Sequence, residues 1–271
     1  MTTYKTRVLW SVIVLAPAFA MAQVQARSGG YNPQYNPNYR PGSPQVSVNP
    51  HASAEQIWQQ AAMLINQNQY RAAMPLLLRA ARMGHPRAQA MLGIIYQDGD
   101  GVQPDDRAAA YWFGLAAAQG HRAAEYALGA MYEDGEGGLP KDEKKAIQLY
   151  IRSANQGFDK AQLILGVDYE LGDGLPRNRP KAIALLRQAG GEGVFMANVL
   201  ANPRTPARFP NALALGNYLA QIKNAQFAAS WAKATAPYRH SGGGVTLGSV
   251  LYGKWRASGG GGDPVGPAPT H

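Results

Sequence analysis

The feature that most constrains this chain is a spacing. Gly84, Gly120, Gly157 and Gly193 fall 36, 37 and 36 residues apart. Self-similarity at such a period marks an array in which each unit buries its apolar face against its neighbours. Before each glycine lies a run with the same stripe: Ala73, Leu76, Leu77, Ala80, Ala81, then Ala109, Trp112, Phe113, Ala116, Ala117. The stripe returns as Ala146, Leu149, Tyr150, Ser153, Ala154 and again as Ala182, Leu185, Leu186, Ala189, Gly190. Spacing of i, i+3, i+4, i+7, i+8 is one face of a helix.

A second series interleaves at the same period. Ala88, Leu92, Gly93, Tyr96 recurs as Ala124, Leu128, Gly129, Tyr132 and as Ala161, Leu165, Gly166, Tyr169. This is a second helix face, with a glycine where a neighbouring helix must come close. Between the two helices stand Asp98-Gly99-Asp100-Gly101-Val102, Asp134-Gly135-Glu136-Gly137 and Leu171-Gly172-Asp173-Gly174-Leu175. Glycine there permits the left-handed geometry that ends a helix. Pro104, Pro140, Pro176 and Pro180 cluster where the next helix begins and a missing N–H matters least. Two helices per unit, tandemly repeated, predict an all-α solenoid.

The pattern Ala-x3-Leu-Gly-x2-Tyr, a Gly-Asp/Glu-Gly loop, then Ala-x2-Trp-Phe and Ala-Ala-x2-Gly resembles the Sel-one-like repeat, a relative of the tetratricopeptide repeat. Three copies match, at 86–121, 122–158 and 159–193, and 54–85 reads as a degenerate copy, so the solenoid is expected over 54–193. The resemblance implies a right-handed superhelical solenoid of helix-turn-helix pairs, with disordered tails and a concave face lined by the first helix of each pair. Carried over from tetratricopeptide geometry, the partner-facing positions are Arg87, Ile94 and Gln97, Tyr126 and Glu133, and Lys160, Leu163, Val167 and Glu170. Many extracytoplasmic members staple their helix pairs with cysteines; this chain has none, unlike the cysteine-rich, penicillin-binding branch.

The flanks differ in kind. Lys5 and Arg7 precede a short apolar run, and small residues at Ala18, Ala20 and Ala22 follow, so residues 1–22 are expected to be a secretory signal cut after Ala22. That implies a periplasmic or secreted protein. Residues 23–53 are rich in Pro, Asn, Tyr and Gly, and 258–271 in Gly and Pro. Both bury too little apolar surface to offset their ordering entropy, and read as tethers. Charge is also divided. Residues 54–193 carry 15 Lys/Arg and 16 Asp/Glu, a net of −1, while 194–271 carry seven basic residues against Asp263, a net of +6. Within the basic region 194–257 a helix is expected near 211–234, with Leu215, Leu219 and Ile222 on one face. It would cap the open end of the array, or contact an anionic partner such as polysaccharide or phospholipid headgroups. The order of 241–257 stays open. Export disfavours nucleic acid.

Catalytic patterns are not found. His51, His85, His121, His240 and His271 form no metal-ligand spacing, and His85 and His121 read as loop residues between helices. Asp98-x-Asp100 is followed by Val102 where a calcium loop would need a ligand, so a turn is expected. The glycine runs at 242–244 and 259–262 lack the Lys-Ser/Thr of a phosphate loop. No cofactor is expected. The chain is therefore expected to be a non-enzymatic protein-binding scaffold of the cell envelope, and its resemblance to envelope members of the repeat family implies service to surface polysaccharide assembly or to a membrane sensor. The alternatives are a cell-wall or β-lactam hydrolase, or a binder of anionic membrane or polysaccharide through the basic C-terminal region.

Overall fold

A computed structural model describes residues 49–211 together with Ala214, Leu215, Tyr218 and Leu219. Nine helices and no strand are present among the described residues. They are α1 (Ala54–Asn66), α2 (Tyr70–Arg82), α3 (Pro86–Asp98), α4 (Asp106–Ala118), α5 (Arg122–Asp134), α6 (Glu143–Asn155), α7 (Asp159–Leu171), α8 (Arg179–Gln188) and α9 (Gly191–Ala201). The first seven are each 13 residues long, whereas α8 has 10. The architecture is an all-α helical-repeat solenoid.

Alternating end chemistry defines the repeat. In α3, α5 and α7 the helix stops on Gly99, Gly135 and Gly172, each left-handed with φ of 78°, 75° and 79°. The second helices start on short polar caps: Asp105, Asp142 and Asn178 each accept a hydrogen bond from a backbone N–H of the first turn. These caps satisfy donors that a helix leaves orphaned. The N–H of each cap residue also donates back to the repeat tyrosine, Asp105 to Tyr96 O at 2.7 Å, Asp142 to Tyr132 O at 2.8 Å and Asn178 to Tyr169 O at 2.7 Å. One backbone bond thus fixes where every second helix turns back on its first.

His85 and His121 are not passive loop residues. Each is the N-cap of a first helix, Nδ1 accepting the N–H of Ala88 at 3.2 Å and of Ala124 at 3.3 Å. The third copy places Phe158 there, without a side-chain cap but buried.

Packing follows the stripes. Ala73, Leu76, Leu77, Ala80 and Ala81 are buried, as are Ala109, Trp112, Phe113, Ala116 and Ala117. So are Ala146, Leu149, Tyr150, Ser153 and Ala154. In α8 only Ala182 and Leu186 of the corresponding set are buried. A Cβ on Gly93 would stand 2.5 Å from the Phe113 ring, and one on Gly166 would stand 2.7 Å from Leu186 Cγ. Hydrogen in place of a side chain is what lets α3 and α4, and α7 and α8, approach this closely.

The chain divides into two compact units. Among described residues, one runs to Met131 and adds Gly135–Pro140; the other joins Tyr132–Asp134 to residues from Lys141 onward. In the first, α1 and α2 form a hairpin whose capping box pairs Ser53 with Gln56. In the second, α9 packs on α8 and crosses the 193/194 boundary expected from the repeat. Asn211 then accepts the N–H of Ala214 at 2.8 Å, and the described positions 214, 215, 218 and 219 are helical, with Leu215 and Leu219 buried. The expected signal, the tether through residue 48, the rest of the 211–234 helix, residues 241–257 and the 258–271 tail lie outside the described residues.

Candidate binding face

The nine positions expected to meet a partner fall into two groups. Ile94, Gln97, Tyr126, Glu133, Val167 and Glu170 are buried, whereas Arg87, Lys160 and Leu163 are partly exposed. Tetratricopeptide register places all nine on the first helices α3, α5 and α7, and they do stand there. Several of the buried ones, however, have structural duties that sequence spacing does not reveal.

Gln97, Glu133 and Glu170 occupy one repeat position and illustrate this. Glu133 Oε2 accepts the Tyr150 hydroxyl at 2.7 Å. Glu170, fully enclosed, accepts from Arg177 at 3.0 Å and from Arg179 Nε at 2.9 and 3.2 Å. The same arginines reach onward to the main-chain carbonyls of Ala207 and Pro206. Glu170 therefore organises the last repeat internally.

Other repeated contacts went unforeseen. Gln89 and Gln162 share a position and donate through Nε2 to Ala81 O at 3.0 Å and Ala154 O at 3.2 Å, tying a first helix to the end of the preceding one. Lys145 Nζ donates to Tyr132 Oη and stands 3.9 Å from its ring centroid, and Lys181 does the same with Tyr169 at 4.3 Å. Each lysine thus meets a ring face and its hydroxyl together. The recurrence of Gln at one position and of Tyr followed by Lys at another was the available signal.

Electrostatics separate the two units. In the first, His85 Nε2 lies 2.8 Å from Glu55, whose carboxyl is held below its usual range chiefly by that hydrogen bond, against the opposing effect of burial. Trp58 stacks on the imidazole with centroids 5.5 Å apart. In the second, Asp168 is pushed well above the ordinary carboxylate range, first by burial and then by the nearby Glu133, Asp173 and Glu143. Lys160, beside the Phe158 ring, is lowered by burial.

No group of three or more His, Asp or Glu side chains among the described residues is arranged to hold a metal ion. The Asp98-Gly99-Asp100-Gly101 segment forms the expected turn, packing Gly101 against Tyr70 and Arg71. With Val102 and Gln103 it borders a shallow cleft under the exposed Arg71. No described helix is long and apolar enough to cross a membrane.

Comparison with known proteins agrees with this geometry. The Sel1 repeat family matches residues 86–121, 122–158 and 159–194. A Sel1 repeat protein from Oxalobacter formigenes, known as a crystal structure, is similar in fold, with a TM-score of 0.51 and 24% identity over 74% of this chain and 84% of its own. A protective antigen of uropathogenic Escherichia coli, c5321, which displays an SLR fold, gives a TM-score of 0.48 and 24% identity, covering 78% of this chain and 49% of that one. No curated protein matches the sequence. The family match begins just after the His85 cap and ends within α9, so the turns and close glycines described above are those of its three units: residues 86–194 of this chain are three Sel1 repeats.

Proposed function

We propose that this chain is an exported adaptor of the cell envelope that binds a protein partner through the first helices of its repeats. Sel1-repeat proteins generally act as protein–protein interaction scaffolds, and three tandem copies are the observation that carries the reading. Export is supported by the basic, then apolar, then small-residue order of residues 1–22. Within the first-helix row the accessible positions Arg87, Lys160 and Leu163 are the contacts, because a buried side chain has no surface to offer. Service to surface polysaccharide assembly or to a membrane sensor is the wider role consistent with that location.

The test is affinity co-purification from the envelope fraction with residues 23–271, beside an Arg87→Glu/Lys160→Glu variant, at low and high salt. A partner retained by the native chain in high salt and lost by the variant supports the reading. Equal recovery by both chains contradicts it.

A second reading has its own observation. The seven basic residues against one acidic residue in 194–271 suit an anionic lipid or polysaccharide surface. It predicts sedimentation with anionic vesicles that salt reverses.

A further inference from the structure

Residues 202–209 leave α9 through a turn and bends, without regular structure, and meet Arg177 and Arg179 of the loop after α7. Only Thr205 and Phe209 are buried along it. Thr205 Oγ donates to Val199 O, its N–H donates to Asn202 O at 2.9 Å, and the Phe209 ring lies 5.3 Å from that of Tyr218. The remaining hold comes from two guanidinium groups: Arg177 donates to Ala207 O, and Arg179 to Pro206 O at 2.7 Å. Two consecutive main-chain carbonyls are thus captured by a pair of arginines already anchored on the enclosed Glu170.

We propose that 202–209 is a releasable strap, an internal ligand seated on an arginine pair that otherwise takes another peptide segment through two consecutive backbone carbonyls. The second half of this rests on the scaffold reading above; the first half does not. Opening is favoured over unfolding of the helices because the strap has two buried anchors and no ladder of backbone bonds, the hallmark of a low-stability element. Once it lifts, Arg177 and Arg179 keep Glu170 but lose their carbonyl acceptors. Two guanidinium charges against one carboxylate leave a net +1 and two unfilled donors, partly exposed at 31% and 22%. Such donors, fixed in a rigid fork, suit planar oxygen acceptors. The contacts of the arginines with the strap are to its main chain, so the site accepts backbone carbonyls irrespective of sequence. Because the strap competes for the arginines, apparent affinity for any outside peptide is the intrinsic affinity multiplied by the fraction of chains that are open.

Hydrogen exchange on the full chain tests the strap, and a peptide tests the site. The backbone amides of Arg204, Thr205, Ala207, Arg208 and Phe209 are expected to exchange at least about tenfold faster than those of α7 and α8, and Phe209→Ala to widen that gap with both helices unchanged. The blocked octapeptide Pro-Arg-Thr-Pro-Ala-Arg-Phe-Pro, copying residues 203–210, is then followed by fluorescence anisotropy. It is expected to bind Phe209→Ala at least about tenfold more tightly than the native chain. It should lose that binding when Arg177→Lys and Arg179→Lys are added, which keep the charge facing Glu170 but lack the planar, multi-nitrogen fork that spans carboxylate and carbonyl. Strap amides protected like the helices, or α7 and α8 opening along with the strap in Phe209→Ala, overturn the strap. Peptide binding equal in native and Phe209→Ala chains, absent from both, or surviving both lysine substitutions overturns the site. The exchange arm involves no partner, so it reads the strap even if the adaptor role fails.

Discussion

The α3–α4 pair and the α7–α8 pair share one plan and hold together differently. In α3–α4, Gly93 lies under the Phe113 ring, nearly all of both helices is buried, and Asp105 caps α4 with its own side chain. In α7–α8, Gly166 lies under the flexible Leu186, α8 is three residues shorter than α4, and the enclosed Glu170 gathers two arginines and, through them, a strap. The first pair shows close apolar fit along most of its length. The second replaces part of that fit with a directional polar network, which is stabilising only while every member is present. A repeat motif therefore specifies the shape of a unit while leaving the source of its stability free to change from copy to copy.

That contrast can be broken most forcefully at Glu170. Glu170→Ala leaves two guanidinium groups without their shared carboxylate and is expected to lower stability by about 3 kcal/mol, toward the lower end for a broken buried pair because both arginines touch solvent. Glu133→Ala, at the same repeat position, removes an acceptor for the neutral Tyr150 hydroxyl rather than the shared carboxylate of two guanidinium groups, and should cost less. Chemical denaturation of both variants checks the ordering, and equal losses would erase the distinction. Next in size, Gly93→Ala should cost about 1–3 kcal/mol, because the added methyl meets a ring face that cannot rotate away. Gly166→Ala should cost less, since Leu186 can change rotamer. Melting curves that reverse this order would show that the fit at α3–α4 is looser than described.

Smaller effects sharpen the comparison at the helix starts. His121→Ala should cost about 1 kcal/mol of cap, and His121→Asn should recover most of it, since Asn also accepts the N–H of Ala124. His85→Ala should cost more than a cap alone, as it also removes the Glu55 hydrogen bond and the stack on Trp58. The smallest effect has the opposite sign. Asp168 has a folded pKa raised by burial and by Glu133, Asp173 and Glu143, so its ionisation opposes folding once the pH exceeds the ordinary carboxylate range. Asp168→Asn should raise the melting temperature at pH 7. The gain should shrink as the pH falls through the raised pKa and vanish near pH 4, where the native carboxyl is protonated as well. A gain independent of pH would assign the effect to packing instead.

Much of the fold was legible because it depends on periodic burial, and periodic burial is written in the sequence. Ala109, Trp112, Phe113 and Ala116 announce a helix face by spacing alone, and Gly93 and Gly166 announce close approach by lacking a side chain. The C-terminal end was harder to read. α8 buries only two residues of its stripe, α9 starts within the last repeat, and the strap is held by Arg177 and Arg179, an Arg-x-Arg pair that resembles ordinary loop charge. The helix positions of the nine first-helix residues were legible in the sequence, but their exposure was not. Tyr126 and Val167 lie on the expected helices and are buried, because helix register gives a direction along an element and not what covers it. His85 and His121 were visible as a repeated pair, yet their role as caps depends on Nδ1 reaching the third residue of the helix, a distance no spacing supplies.

The central claim is that accessible positions of the first-helix row meet a protein partner. Site-specific photo-crosslinking in the envelope measures this directly, with the reactive group placed in turn at Arg87, Lys160 and Leu163, and at the exposed Gln60 and Arg152 of α1 and α6 as controls. The account predicts one crosslinked species of constant mass from the three row positions and none from the controls. Crosslinks from the controls alone, or from all five positions alike, would contradict it.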